Sequence, residues 1–367
     1  MSTGGTAASP GPAGAAGQPA PAGGGPPALP GKPWRPAAVA YRLARRAAIA
    51  NETWTLLALA VLMAAFTAAK PGIFLTAGNL ESIAKNAAPI LVMAIGQTFV
   101  ILTAGIDLSV GAVLVLSGVV AGEYYQAQPG SGANAGWGVI LLGIVGGLAA
   151  GCAFGAIQGL MVAKAKIPPL IATLAGLGVA EGISYLITGG SDLRLIPTRL
   201  AATIGNGDVA GLPWLVVISF ALALVFGLLL GTTRFGTYTY AIGSSPEAAR
   251  RAGIAAGRHL IKVYALAGLL SGVAGVLSLA YFGTTTIAGH PTDNLTVITA
   301  VVLGGASLFG GRGSMFGTVI GVFIPAVLLN GLVILAVNQY WQYIAIGVVL
   351  AAAVYLDQFR RRLRQPA

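Results

Sequence analysis

One carboxylate stands alone in the longest apolar run of the chain. Residues 87–122 contain a single charge, Asp107, within the stretch ILTAGIDLSVGAVL at 101–114. A carboxylate in this setting can cap a helix, form part of a gate or solute pathway in a broken helix, or relay protons. As a cap, it would accept a hydrogen bond from the backbone N–H of Ser109 or Val110. The sequence alone leaves these three roles open.

Other polar side chains within the apolar runs are further candidates for a solute pathway. Amides and hydroxyls at membrane depth bond either to a solute or to a neighbouring helix, and we expect most of them to bond between helices. Together with Asp107, the pathway or gate candidates are Ser109, Asn86, Gln97, Thr98 and Asn330.

A second stretch, SSPEAARRAG at 244–253, carries the signals of a short helix. Ser244 or Ser245 can cap it, and Ser244 has the capping-box spacing to Glu247. Pro246 suits the first turn, and a glycine suits the stop. A helix of about two turns is marginal by itself, so it must dock on the bundle and lipid headgroups or on a soluble partner. The predicted docking residues are Ser245, Pro246, Glu247, Ala248, Ala249, Arg250 and Arg251.

The remaining reactive residue types form no catalytic pattern. The sequence contains no G-x-x-x-x-G-K-[ST] phosphate loop, H-E-x-x-H motif, cysteine cluster or nucleophile elbow. Cys152 is the single cysteine, so a disulfide within the chain is impossible. His259 and His290 have no second ligand nearby in sequence, and both are predicted to be solvated. We therefore predict no enzyme activity and no metal or cofactor in this chain.

Composition places the elements that carry these residues in a lipid bilayer. Charged residues make up 8% of the chain and hydrophobic residues 56%, with a mean hydropathy of +0.82. Several apolar runs reach the ~20 residues that cross a bilayer, and none shows the alternation of a barrel strand. The net charge of +11 lies between these runs rather than on one polar face, which argues against a nucleic-acid partner. The sequence predicts an all-α polytopic membrane protein.

Ten membrane spans are predicted from the apolar runs and the polar residues between them. They lie at about 47–69, 83–103, 106–122, 137–163, 168–187, 212–231, 260–281, 295–309, 315–337 and 341–356. The run at 87–122 would be ~54 Å long as one helix, which exceeds a ~30 Å hydrocarbon core. We therefore expect a broken-helix region near 103–110. Glycines at three- and four-residue spacing in the fourth span predict close helix packing.

Basic residues predict the orientation of the spans. With the N-terminus in the cytoplasm, 17 of the 21 Lys and Arg residues fall on the cytoplasmic side and 4 fall outside. This asymmetry follows the positive-inside rule and places both termini in the cytoplasm. The chain then divides into a tail at 1–46, a transmembrane domain at 47–357 and a basic tail at 358–367. The first tail is rich in Gly, Ala and Pro before its basic end, and we expect it to be disordered.

Several stretches resemble, in order, the permease subunits of ribose-type ABC importers, which take up monosaccharides and related small solutes. They are GQTFVILTAGIDLSVG (96–111), ITGG (187–190) with Pro197, YAIGSSPEAARRAGI (240–254), AVVLGGASLFGGRGSMFGTVIG (300–321) and NQYWQYIAIGVVLAAAVYLD (338–357). The resemblance covers about 47–357. It departs at 288–300, where Asp293 and Asn294 replace a Gly-rich, Tyr-Glu-Leu-like segment of the family. That departure bears on the substrate and on the contact with a binding protein.

The resemblance implies the membrane subunit of an ATP-driven importer in the bacterial inner membrane, working by alternating access. It implies a homodimer of permeases, separate ATPase subunits that bind ATP and Mg, and an extracytoplasmic binding protein that delivers the solute. The helix at 246–251 would be the coupling helix that seats in the ATPase. The alternatives are an ABC permease for branched-chain amino acids or nucleosides, a proton-coupled secondary transporter with Asp107 as relay, and a membrane scaffold without transport activity.

Overall fold

A computed structural model describes residues 4, 5, 51–128, 134–194, 196–285, 287, 290 and 292–364. The chain divides into a unit at 1–45, of which only Gly4 and Gly5 are described, and a unit at 46–367 that contains the helices. The predicted tail at 1–46 therefore lies outside the described residues, apart from those two glycines.

Thirteen helices occur in the described part of the second unit. They are α1 (Asn51–Ala69), α2 (Ala77–Leu102), α3 (Val110–Gln126), α4 (Trp137–Ala163), α5 (Pro169–Thr188), α6 (Thr198–Leu200), α7 (Trp214–Thr232), α8 (Arg234–Ser244), α9 (Pro246–Arg251), α10 (Ala256–Phe282), α11 (Asp293–Leu303), α12 (Met315–Ile334) and α13 (Gln339–Arg364). A π-helical turn, Ala201–Gly205, continues α6, and the two-residue strands β1 (Asp208–Val209) and β2 (Leu212–Pro213) pair antiparallel before α7. The all-α prediction is confirmed.

Within the described residues, seven helices are long and apolar enough to cross a membrane: α1, α2, α4, α5, α7, α10 and α12. Three shorter apolar helices, namely α3, α11 and the first part of α13, occupy the other predicted positions. The fourth span has the predicted bounds. The eighth ends at Leu303 rather than 309, because the backbone turns at Gly304 and at Gly305, whose φ is +93°. The last helix continues through Arg364, past the predicted end at 356.

Glycines on one face of α4 bring this helix into backbone contact with its neighbours. Gly147 packs against the carbonyl of Ser117 in α3, and Gly151 packs against the carbonyl of Gly268 in α10. Gly155 lies against the carbonyl of Tyr264, one turn earlier in α10. Small residues allow this approach, and in a bilayer close packing is what holds helices together. The close packing predicted from the glycine spacing is confirmed.

The broken-helix region lies between the end of α2 and the start of α3. Ala104 has a φ of +62°, which stops α2, and the chain then runs without helix to Ser109. Near its start, α3 already lies beside the second half of α10, because the carbonyl of Leu114 packs on Gly275. The N–H of Gly111 also donates to Asn294 Oδ1 at 2.7 Å. Two short helices, α3 and α11, therefore begin side by side inside the bundle.

Candidate functional site

The short helix α9 is fixed at both ends by its own residues. Ser245 Oγ accepts a hydrogen bond from the Ala248 N–H at 3.2 Å, so Ser245 is the cap. The predicted alternative, a capping box from Ser244 to Glu247, is wrong, because Ser244 is the last residue of α8. At the other end, the N–H of Ile254 bonds the Ala249 carbonyl at 3.0 Å, which closes a Schellman motif around a left-handed glycine.

Most of the α9 surface faces away from the protein. Only Ala249 is buried, Ser245 is half-buried, and the other docking candidates are exposed: Pro246, Glu247, Ala248, Arg250 and Arg251. Glu247 and Arg251 approach to 3.4 Å, but both are exposed, and such a pair contributes little to stability. The helix is therefore a small, preformed, charged projection.

The preceding helix, α8, connects α9 to the bundle. The Tyr240 hydroxyl donates to the Gly313 carbonyl at 2.8 Å, and burial raises the pKa of this phenol, which keeps it a donor. Gly243 lies against the carbonyl of Leu102, the last residue of α2. Thr239 Oγ1 and His259 Nε2 are 2.8 Å apart. These contacts connect α8 to the end of α2, to α10 and to the loop before α12.

The prediction that His259 is solvated is wrong. Its side chain is buried in the first turn of α10 and packs on the ring of Phe235, with centroids 4.5 Å apart. No pattern in the sequence indicates this contact, because α8 and α10 meet only after the chain turns through α9.

Asp107 lies in a buried polar cluster, with 2% of its surface exposed. Its Oδ1 accepts hydrogen bonds from the N–H and the hydroxyl of Ser109, at 2.8 and 2.7 Å. The same hydroxyl accepts from Gln158 Nε2 of α4 at 2.7 Å. The side chain makes the backbone bond expected of a cap, but it forms an Asx turn just before α3, whose cap residue is Ser109.

The other two buried pathway candidates lie on α2. Thr98 shares a hydrogen bond with Thr318 of α12, their hydroxyl oxygens being 2.8 Å apart, and it also donates to the Ala94 carbonyl. Gln97 is fully buried, and its amide atoms have no hydrogen-bond partner among the described residues. The structure thus separates the four buried candidates from the remaining two, Asn86 and Asn330. The buried four are Gln97, Thr98, Asp107 and Ser109.

A cavity of about 400 Å³ lies between the first half of α2, the last turn of α10, the start of α11 and the second half of α12. We call it the α2–α12 cavity. Its polar lining residues are Ser82, Asn86, His290, Thr292, Asp293, Thr296 and Asn330, and Tyr281 and Phe282 contribute aromatic rings. The candidates Asn86 and Asn330, which are far apart in sequence, meet here. The volume falls within the range of small-ligand pockets.

His290 and Asp293 form a close side-chain pair at the wall of the α2–α12 cavity. His290 Nδ1 lies 2.6 Å from Asp293 Oδ2, and His290 Nε2 lies 3.2 Å from Ser278 Oγ. The prediction of a lone solvated His290 is therefore wrong. Sequence reasoning missed the pair, and the only available signal was the three-residue spacing at the start of α11.

Asn330 faces the cavity but already has a protein partner. Its amide exchanges two hydrogen bonds with the amide of Asn79, at 2.9 and 3.1 Å. Asn79 lies in the first turn of α2, so the pair joins the beginning of α2 to the end of α12. Asn86 donates to the Ser82 carbonyl at 2.9 Å, which fixes the orientation of its amide.

Comparisons with known proteins agree with this architecture. The sequence model of the family described as "Branched-chain amino acid transport system / permease component" matches residues 79–354. The ribose import permease of Escherichia coli (strain K12) is 38% identical over 309 residues, which cover 83% of this chain and 93% of that protein. This chain belongs to the ribose-type family of ABC import permeases.

Other members of the family show similar coverage. The fructose import permease of Rhizobium meliloti is 34% identical over 321 residues, covering 84% of this chain and 85% of that protein. The D-allose transport system permease of Escherichia coli (strain K12) is 34% identical over 305 residues, covering 83% and 90%. No solved structure matches the chain. Family members are multi-pass transport subunits rather than enzymes, and ABC importers in general pair such a permease with an ATPase and a substrate-binding protein.

Proposed function

We propose that this permease translocates a monosaccharide by alternating access and that a separate ATPase drives it by binding α9. The exposed, doubly capped geometry of α9 is the observation that carries this proposal. A six-residue helix with one buried side chain is marginally stable by itself, so we expect it to be stabilised by docking on a partner. We further propose that two copies of the chain form the permease dimer, with ATP and Mg bound entirely by the ATPase subunits.

The connections of α8 suggest how the ATPase moves the permease. Closure of the ATPase dimer would displace α9, and α8 would pass the movement to the cytoplasmic ends of α2 and α10. Both helices are continuous from there to the α2–α12 cavity, whose lining on α2 begins at Ile90, about 18 Å from Leu102. Rigid helices that join the docking helix to a distant cavity suit a transporter powered from outside the membrane.

The names of the relatives support a sugar as the solute. The ribose, fructose and allose permeases are similar along most of their length, whereas branched-chain amino acids appear only in the family description. The α2–α12 cavity has no Lys or Arg among its described lining residues. An amino acid would bring a carboxylate, which such a lining does not neutralise, whereas a sugar brings only hydroxyls.

We propose the bacterial inner membrane as the location, with α9 and both termini in the cytoplasm. The asymmetry of 17 cytoplasmic against 4 external basic residues supports this orientation. A proton-coupled carrier is the competing class. It predicts uptake that stops when an uncoupler is added and that is insensitive to ATP depletion, whereas an ABC importer shows the reverse.

The docking assignment is tested with the double variant Glu247→Lys/Arg250→Glu. Reversing both exposed charges leaves the cap and the buried Ala249 in place, so α9 should still form. We expect loss of co-purification with the ATPase and loss of sugar uptake. The control is Arg199→Glu, an exposed arginine predicted to lie on the external side, which should change neither. Unchanged co-purification and uptake in the double variant would show that α9 is not the docking element.

A further inference from the structure

The α2–α12 cavity combines a carboxylate paired with a histidine, an oriented amide and aromatic rings. We propose that it is a transient binding site for the solute and that it selects neutral polyols, with Asp293 and Asn86 as the hydrogen-bonding residues. This inference rests on the proposed function, since it assumes that the chain transports a solute. It adds a site within each protomer and a chemical class of ligand.

Asp293 supplies the acidic group of the cavity wall. It is the first residue of α11, and its side chain is held by His290, which Ser278 of α10 contacts from the other side. The carboxylate is therefore fixed at the cavity wall at the start of a helix, where a negative charge is stabilised. A carboxylate has acceptor sites on both oxygens, and bonds from neutral hydroxyls to an ionised group are stronger than bonds between neutral groups.

The rest of the cavity wall supplies an oriented amide and two aromatic rings. Asn86 has its donor group directed to the Ser82 carbonyl, so the acceptor oxygen of its amide is set by that bond. Tyr281 and Phe282 pack together, with ring centroids 4.9 Å apart, and supply an apolar face. Acceptors on one side and aromatic rings on another match a sugar, which has hydroxyls at its edge and C–H groups on its faces.

The charged side chains among the described lining residues limit which solutes can bind. The single acid of the lining is paired with a histidine, and no Lys or Arg lies among the described lining residues. Anionic solutes are disfavoured in such a site, and zwitterions find a partner for only one end. Binding must also be weak enough to allow release during transport. We therefore expect a Kd on the order of 1 mM.

The experiment measures protection of an introduced thiol by the solute. In a Cys152→Ser background, which removes the single native cysteine, Ser82→Cys places a thiol in the cavity wall with little change of shape. The full-length permease in membrane vesicles is labelled with a maleimide in the presence of D-ribose, D-fructose, D-allose or L-leucine. The matched control is Ser191→Cys, an exposed serine outside the cavity lining.

We expect at least one sugar at about ten times its Kd to slow labelling of the Ser82→Cys variant about tenfold. Labelling of the Ser191→Cys variant should not change, and L-leucine should protect neither. Adding Asp293→Asn to the Ser82→Cys variant replaces the ionised acceptor with a neutral amide oxygen and should clearly weaken protection. Adding Asp208→Asn, an exposed acid of β1, should leave protection intact. The melting temperature shows whether each variant is folded.

Three results would overturn the proposal. Protection by L-leucine alone would replace the polyol with an amino acid and would also contradict a sugar importer. Protection by added lipid or detergent, but by no sugar, would make the cavity a lipid site. The third is ATP-driven sugar uptake without the expected protection: no protection at all would remove the site, and protection unchanged by Asp293→Asn in a folded protein would remove Asp293 from it, while the proposed function would stand in both cases.

Discussion

Asp107 serves the start of α3 through a chain of hydrogen bonds. Its carboxylate orders Ser109, whose hydroxyl is in turn the acceptor for Gln158 of α4. Because the Ser109 hydrogen is used on Asp107, the amide nitrogen of Gln158 must be the group that faces it. The resulting network links the break after α2 to α4, and none of its bonds requires a proton to be passed on.

Substitutions at Asp107 separate a structural role from a proton relay. Asp107→Asn retains an oxygen acceptor for both Ser109 donors, so we expect near-normal uptake and a similar melting temperature. Asp107→Leu leaves two buried donors without a partner, at a cost of about 1–3 kcal/mol each, and should lower the melting temperature strongly. Uptake in vesicles and thermal unfolding in detergent measure both effects. A folded Asp107→Asn protein without transport would favour the relay.

At the scale of single residues, sequence reasoning succeeds where the partner is local. The bond from Asp107 to Ser109 spans two residues, and the Ser245 cap spans three, so both follow from spacing. The environment of His259 depends on Phe235 and Thr239 of α8, and that of His290 depends partly on Ser278 of α10, contacts that no spacing rule reports. The amide pair of Asn79 and Asn330 is of the same kind, because Asn79 lies at the start of α2 and Asn330 lies near the end of α12, and these two helices are far apart in the sequence.

Helices α4 and α10 pack closely through glycines, and we expect the stability of the bundle to depend on this contact. Gly155 lies against the carbonyl of Tyr264, so a methyl group at Gly155 would overlap that oxygen. We expect Gly155→Ala to separate the helices and to cost about 1–3 kcal/mol. Gly178 in α5 has open space around it, so Gly178→Ala is the matched control and should be neutral or slightly stabilising. Melting temperatures of the two variants in detergent would decide this, and equal values would contradict the packing argument.

Element positions were predictable because the hydrophobic runs are long and glycine or proline marks many of their ends. The end of α11 was not, because residues 304–309 are still largely apolar and the turn at Gly304–Gly305 is a backbone feature. The early start of α2 at Ala77 depends on the cap at Thr76, which accepts from the Asn79 N–H at 3.4 Å. A hydropathy pattern does not register such a cap when polar residues follow it.

At the scale of the whole molecule, the docking helix and the α2–α12 cavity lie at opposite ends of the same two helices. The sequence predicts a broken helix near 103–110, but not that α3 starts beside the second half of α10 and next to the N-terminus of α11. That depth follows from helix contacts, which depend on the folded bundle. In the proposed mechanism the permease receives its movement at α9, and the α2–α12 cavity lies about 18 Å away along α2.

The most direct test of this account is to determine on which side of the membrane α9 lies. An Ala248→Cys variant in the Cys152→Ser background, which keeps the charges of α9, would be treated with a membrane-impermeant maleimide in inside-out and right-side-out vesicles, with and without the partner ATPase. We predict labelling in inside-out vesicles only, and protection when the ATPase is bound. Labelling of this position in right-side-out vesicles, or labelling that the bound ATPase does not slow, would contradict it.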